Sequence, residues 1–141
     1  MARDRAGVVI SEGGGAVFLG ELEYARRRDA QIYAVVIGYG SSNDAFDMAA
    51  PAEGEGAVLT MSRALRRAEI EPEQVDYINA HGTGTPLNDK FETDRNHRAF
   101  QEPAAERAAS TTNSLTGHCT GAAGSREPGG CARTSSWYAT A

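Results

Sequence analysis

Val75-Asp76-Tyr77-Ile78-Asn79-Ala80-His81-Gly82-Thr83-Gly84-Thr85-Pro86-Leu87-Asn88-Asp89 is the stretch from which the rest of the chain is read. Val75, Tyr77 and Ile78 favour a short, largely buried strand. Gly82 and Gly84 permit a sharp turn, Thr85 can cap a helix, and Pro86 suits that helix's first turn. A histidine at the carboxyl end of a strand, where a sheet hands over to a helix, is where α/β folds place ligands. An ordinary histidine in a surface turn fits the same local pattern, so the stretch by itself leaves both readings open.

A second stretch, Ser110-Thr111-Thr112-Asn113-Ser114-Leu115-Thr116-Gly117-His118-Cys119-Thr120-Gly121-Ala122-Ala123-Gly124, also sets a histidine among glycines and hydroxyls after a strand-like segment. Together, His81-Gly82-Thr83-Gly84-Thr85-Pro86, Asn113-Ser114-Leu115-Thr116-Gly117-His118 and Gly121-Ala122-Ala123-Gly124 carry a resemblance. The chain resembles the carboxyl-terminal half of β-ketoacyl-acyl-carrier-protein synthases. These are the elongating condensing enzymes of bacterial fatty acid synthesis, and polyketide ketosynthases are close relatives. The likeness begins at Arg3-Asp4-Arg5 and ends at Gly124.

That resemblance implies an α/β architecture, the second half of a thiolase-like fold with layered sheet and helices. It divides the chain into a partial synthase domain, 1–124, and an irregular tail, 125–141. It implies decarboxylative condensation of malonyl-carrier protein with an acyl thioester, without metal or redox cofactor, the substrate riding on the phosphopantetheine of acyl-carrier protein. His81 and His118 match the pair that donates to the enolate oxygen, and Thr83 and Thr85 match hydroxyls that contact the phosphopantetheine arm. Glu92 matches a carboxylate that in the family pairs with a lysine, but Asn113 stands at the lysine position. The family's nucleophilic cysteine lies in an amino-terminal half that this sequence lacks. The implied partners are therefore acyl-carrier protein, that missing half and a second copy, since the family forms homodimers. The alternatives are a fragment of a polyketide ketosynthase or a non-catalytic, pseudogene-like remnant.

Bulk properties agree with one domain. A chain of 141 residues buries roughly two-thirds of its unfolded surface. A net charge of −5 argues against nucleic acid or an anionic membrane as partner. No apolar run approaches the ~20 residues of a spanning helix, and the start lacks a signal peptide's apolar core. Cys119 and Cys131 form no disulfide framework, which fits a reducing cytoplasm. Neither sits in a strand-to-helix nucleophile turn. Cys119 follows His118 directly, and adjacent side chains diverge, so a shared proton is not expected.

Taken in order, Val8 to Ile10 and Ala16 to Leu19 are β-prone runs around Gly13-Gly14-Gly15, which no Lys-Ser/Thr follows as a P-loop requires. Glu21 to Arg28 reads as a short helix with a basic end. Ile32 to Tyr39 is continuously apolar and reads as a strand buried on both faces. Gly38-Tyr39-Gly40-Ser41-Ser42-Asn43 fails the dinucleotide fingerprint, because Asn43 replaces the last glycine. Asp44 to Pro51 resembles the family's loop near the active-site entrance and leans toward its fatty acid branch. From Gly56, apolar residues Ala57, Val58, Met61, Ala64, Leu65 and Ala68 recur at helical spacing, a core stripe.

A further helix is expected over Pro86 to Phe100, with Asp94 to Arg98 as its solvated face. His81, His97, His118 and the cysteines show none of the short spacings of zinc ligands. Ser125 to Gly130 is expected to stop any helix, because it holds Pro128 and two glycines. The abrupt end of the resemblance at Gly124 is what a shifted reading frame produces; a divergent natural tail is the alternative.

Overall fold

The computed structural model describes residues 6–43, 55–100 and 108–131, with side chains described as far as Glu127. Its centre is a β-α-β unit. Strand β1 (Tyr77–Asn79) pairs in parallel with β2 (Ala108–Ser110), Ile78 opposite Ala109. Parallel neighbours need a crossover, and helix α3 (Pro86–Phe100) supplies it. Helix α2 (Glu55–Ala68) packs against α3, and Met61, Leu65, Val75, Ile78, Ala99 and Phe100 form the buried core between them. The expected stripe on α2 thus faces inward, with Ala57 and Val58 at its margin.

Helix α1 (Leu22–Arg27) forms where the sequence places it. The Glu21 carboxylate caps it, accepting from the amides of Glu23 (3.0 Å) and Tyr24 (2.8 Å), while Arg26 and Arg27 close its basic end. Short helix α4 (Asn113–Thr116) leads through Gly117, at φ 67°, to His118. Among the described helices none is long and apolar enough to cross a membrane.

Two expectations fail. Ile32 to Tyr39 is not a strand buried on both faces: it carries no strand pairing, and Tyr33 and Val36 are each 76 % exposed. A strand needs hydrogen-bonding neighbours, and among the described residues none runs along this segment. Among the described residues its end is held by α2, where Arg67 donates to the Tyr39 carbonyl (3.0 Å) and, just beyond, Ser42 donates to that of Gly56. The glycines of Gly38-Tyr39-Gly40 serve that contact, since a Cβ at Gly40 would run into the Thr60 carbonyl. Val8 to Leu19 behaves similarly, with Ile10 bridged to His118 and Phe18 fully exposed.

The second correction concerns the tail expected to be irregular from 125. Helix α5 (Ala123–Cys131) runs straight through Ser125–Gly130. Pro128 removes one amide donor, but anchors on the preceding turn hold the helix in place. The Glu127 carbonyl accepts from the buried Asn79 side chain (3.3 Å), and Arg126 donates to the Cys119 sulfur (3.1 Å). The loop 44–51 and the residues from 132 onward lie outside the described residues.

Candidate active site

His81 leaves the end of β1 one residue beyond Ala80, whose amide extends the ladder to the Ser110 carbonyl at 2.8 Å. Its main chain is then clamped from both sides. The Glu92 carboxylate accepts from the amides of His81 (2.6 Å) and Gly82 (2.8 Å), and from the Asn88 side chain (3.2 Å). On the other side, the His81 carbonyl accepts from Asn113 Nδ2 (2.6 Å) and Thr111 Oγ1 (3.0 Å). Gly82, at φ +51°, passes so close to Thr111 that a Cβ there would strike its side chain.

Beyond the turn, Thr83 and Thr85 share a hydroxyl–hydroxyl bond of 3.0 Å. The Thr85 hydroxyl caps α3 by accepting from the Asn88 amide (3.3 Å), the helix start the motif implied. Asp89, only 2 % exposed, accepts from the Gly84 amide and places a negative charge in the first turn of α3.

His118 arrives from the opposite direction. Its amide donates to the Val9 carbonyl (2.7 Å), and its carbonyl accepts from Ser11 (3.0 Å). The extended segment around Ile10 therefore holds it in place. The two imidazoles meet edge to face, with centroids 4.9 Å apart and planes at 71°. Both line a cavity of about 440 Å³, together with Met61, Glu92, Arg95 and Glu127.

Charge in the cavity is tuned by burial. Burial, opposed by Glu92 and reinforced by His118, holds the His81 pKa below its ordinary 6.5, so the ring is neutral at neutral pH. Glu127 is pushed above the ordinary carboxylate value, first by burial and then by the Glu92 charge. Two imidazoles from separate elements, both lining one cavity, are suited to donate hydrogen bonds to one developing anion.

The structure brings His81, His118, Glu92 and Asn113 together, with Thr83 and Thr85 on the adjoining turn. Asn113 points to the His81 carbonyl, while Glu92 holds main-chain amides. Sequence reasoning missed Asn88, Thr111 and Arg95. The sequence pattern places Arg95 on a solvated face, but it lies over the Phe91 ring (5.4 Å) and lines the cavity. Its position one turn beyond Glu92 on the same helix was the available signal. Cys119 is buried against Ser11 and Arg126, and none of its described bonds reaches a histidine.

Comparison with known proteins accounts for this arrangement. The family model for the beta-ketoacyl synthase C-terminal domain matches residues 33–131. The 3-oxoacyl-[acyl-carrier-protein] synthase 2 of Coxiella burnetii is 48% identical over 126 residues, 89% of this chain and 30% of that protein. The mitochondrial 3-oxoacyl-[acyl-carrier-protein] synthase of Arabidopsis thaliana is 49% identical over 127 residues, 88% of this chain and 28% of that one. A type II polyketide ketosynthase solved with its acyl-carrier protein matches at a TM-score of 0.88 and 36% identity, over 94% of this chain and 33% of its own. The chain thus spans about 30% of the length of the curated relatives it matches. Its fold is α/β and thiolase-like, and with its family match running through α5 to Cys131 the chain belongs to the beta-ketoacyl synthase family, as that family's C-terminal domain.

Proposed function

We propose that this chain is the histidine-bearing part of a 3-oxoacyl-acyl-carrier-protein synthase of fatty acid synthesis. The observation that carries the reading is the pair of imidazoles, 4.9 Å apart, on one cavity. In the reaction the bond between the malonyl Cα and its carboxylate breaks. Carbon dioxide leaves, and the electron pair moves into the thioester enolate. The enolate carbon then attacks an acyl thioester carbonyl, and the thiolate that carried the acyl group departs. His81 and His118 each donate to the enolate oxygen, where charge is greatest in the transition state; one such donor is worth ~3 kcal/mol.

Glu92 and Asn113 are positioning residues in this reading, since both bind the main chain of His81. Thr83 and Thr85 offer hydroxyls to the phosphopantetheine arm of acyl-carrier protein. The acyl-accepting cysteine comes from the remainder of the synthase, against which the exposed apolar segments 7–19 and 32–39 pack. We also place the active form in a homodimer and in the cytoplasm, and require no metal or redox cofactor. The polyketide reading has the fold likeness in its favour. The higher identity, 48% and 49%, to fatty acid synthases favours the first.

The test grafts this segment into an intact synthase that supplies the cysteine. His81→Ala or His118→Ala should slow malonyl-carrier decarboxylation by about 100-fold or more. His97→Ala, on an exposed position, should change nothing. Folded histidine variants that decarboxylate at the parental rate would overturn the assignment.

A further inference from the structure

Arg95 is out of character for a cavity wall. Its Nε and Nη2 are buried and without a hydrogen-bond partner among the described residues. Leaving guanidinium donors unmatched costs more than leaving neutral ones, so the site calls for a further acceptor. Glu127 Oε1, on the same cavity wall, is likewise buried without a partner among the described residues and makes no described bond to Arg95. Those two nitrogens lie along one edge of the guanidinium, and their spacing matches the two oxygens of a carboxylate. The Phe91 ring, 5.4 Å from the guanidinium carbon, covers its face and leaves the edge free.

We propose that Arg95 is the carboxylate-recognition residue of this cavity, its Nε and Nη2 forking the free carboxylate of a malonyl-class half-thioester. This rests on the synthase reading above and adds to it a determinant of which acyl donor is taken. Three features of the cavity support it. Arg95 is the one permanently charged cation among the described lining residues, and His81 and His118 line the same space. Glu92 is a weak competitor for the guanidinium, because the His81 and Gly82 amides and Asn88 take up three of its roughly four acceptor positions. Glu127 is shifted toward its uncharged acid, by burial first and by Glu92 second, which weakens it as an internal partner.

A clamp on the carboxylate acts on the ground state. As carbon dioxide leaves, the charge moves to the thioester oxygen, so Arg95 should lower KM rather than raise kcat. That separates it from the histidines, whose donors act on the enolate.

Titration of the full 141-residue chain with malonate, and with malonamide as the uncharged comparison, tests the proposal without any turnover. Malonate should bind and malonamide should not. Arg95→Gln should weaken malonate at least about 10-fold, the loss of a charge-assisted bidentate contact. Glu127→Gln should bind malonate as tightly as the parent or more so. Equal malonate affinity in parent and folded Arg95→Gln, or no binding by the folded parent, overturns the assignment.

A second arm uses the graft in an intact synthase. There Arg95→Gln should raise KM for malonyl-carrier protein about 10-fold and raise kcat with it, leaving kcat/KM within about 3-fold of the parent, as a contact held in the ground state and lost in the transition state requires. An unchanged KM overturns the clamp, whatever the folding of the isolated chain. Failure of the histidine reading shows separately, in the decarboxylation rates of the histidine variants.

Discussion

Glu92 is the residue through which the site's geometry and its electrostatics are joined. Its carboxylate holds the amides of His81 and Gly82, and its charge draws the His81 pKa upward against burial. Glu92→Gln should therefore lower the His81 pKa further, read from the ring-proton shifts in an NMR titration; an unchanged or raised value would show that the charge is not felt there. Asn113 works on the other side of the same residue, donating to the His81 carbonyl at 2.6 Å. Asn113→Ala removes that donor and should destabilise the fold by about 1 kcal/mol in urea unfolding. Asn113→Lys keeps a donor there and adds a positive charge near Glu92, so in the graft it should raise activity. The motifs placed these side chains together. They did not show that Asn113 binds the His81 carbonyl rather than Glu92, because that depends on where β2 sets the following turn.

At the scale of elements, α2 and α5 bear the tests. Gly40 lies against α2 so closely that a side chain would strike the Thr60 carbonyl, which is backbone and cannot rotate away. Gly40→Ala should cost about 1–3 kcal/mol, like other forced overpacking. Leu65→Ala, in the core between α2 and α3, should cost about 2–5 kcal/mol. For α5, a chain ending at Gly124 loses the Arg126–Cys119 contact and the bond from Asn79 to the Glu127 carbonyl. Its melting temperature should fall measurably; a cooperative melt at the parental temperature would mean these contacts hold nothing. Pattern reading ended this helix early because Pro128 and two glycines are local stop signals. Contacts with β1 and Cys119 outweigh them.

For the whole molecule, the buried core is small and much apolar surface stays exposed, Phe18 completely so. The isolated chain should melt at low temperature and bind a hydrophobic dye while folded. It should also form no ketoacyl product from acyl- and malonyl-carrier protein, since Cys119 is buried against Ser11 and Arg126; turnover above a buffer control contradicts this. Two groups lining the cavity make its stability depend on pH. Glu127 keeps its proton more firmly folded than unfolded, so its contribution is lost as pH rises above 4.5. His81 keeps its proton less firmly folded, so its contribution is lost as pH falls through 6.5. The gain in melting temperature of Glu127→Gln over the parent should therefore grow from pH 4.5 to 8 and vanish at lower pH.

The sequence by itself determined the helices and the turn chemistry. Local signals carry those: the Glu21 cap, the apolar stripe of α2, Thr85 and Pro86 at the start of α3, and the glycines around His81. Its motifs, through their resemblance to a known family, also singled out His81 and His118, whose rings meet 4.9 Å apart. Only the tertiary structure decided what segments 32–39 and 8–19 do, since a strand exists through its neighbours and these segments find almost none among the described residues. Only it turned Arg95 inward and carried α5 past Pro128. A side chain's direction and a helix's persistence are settled by long-range packing, which no local pattern contains.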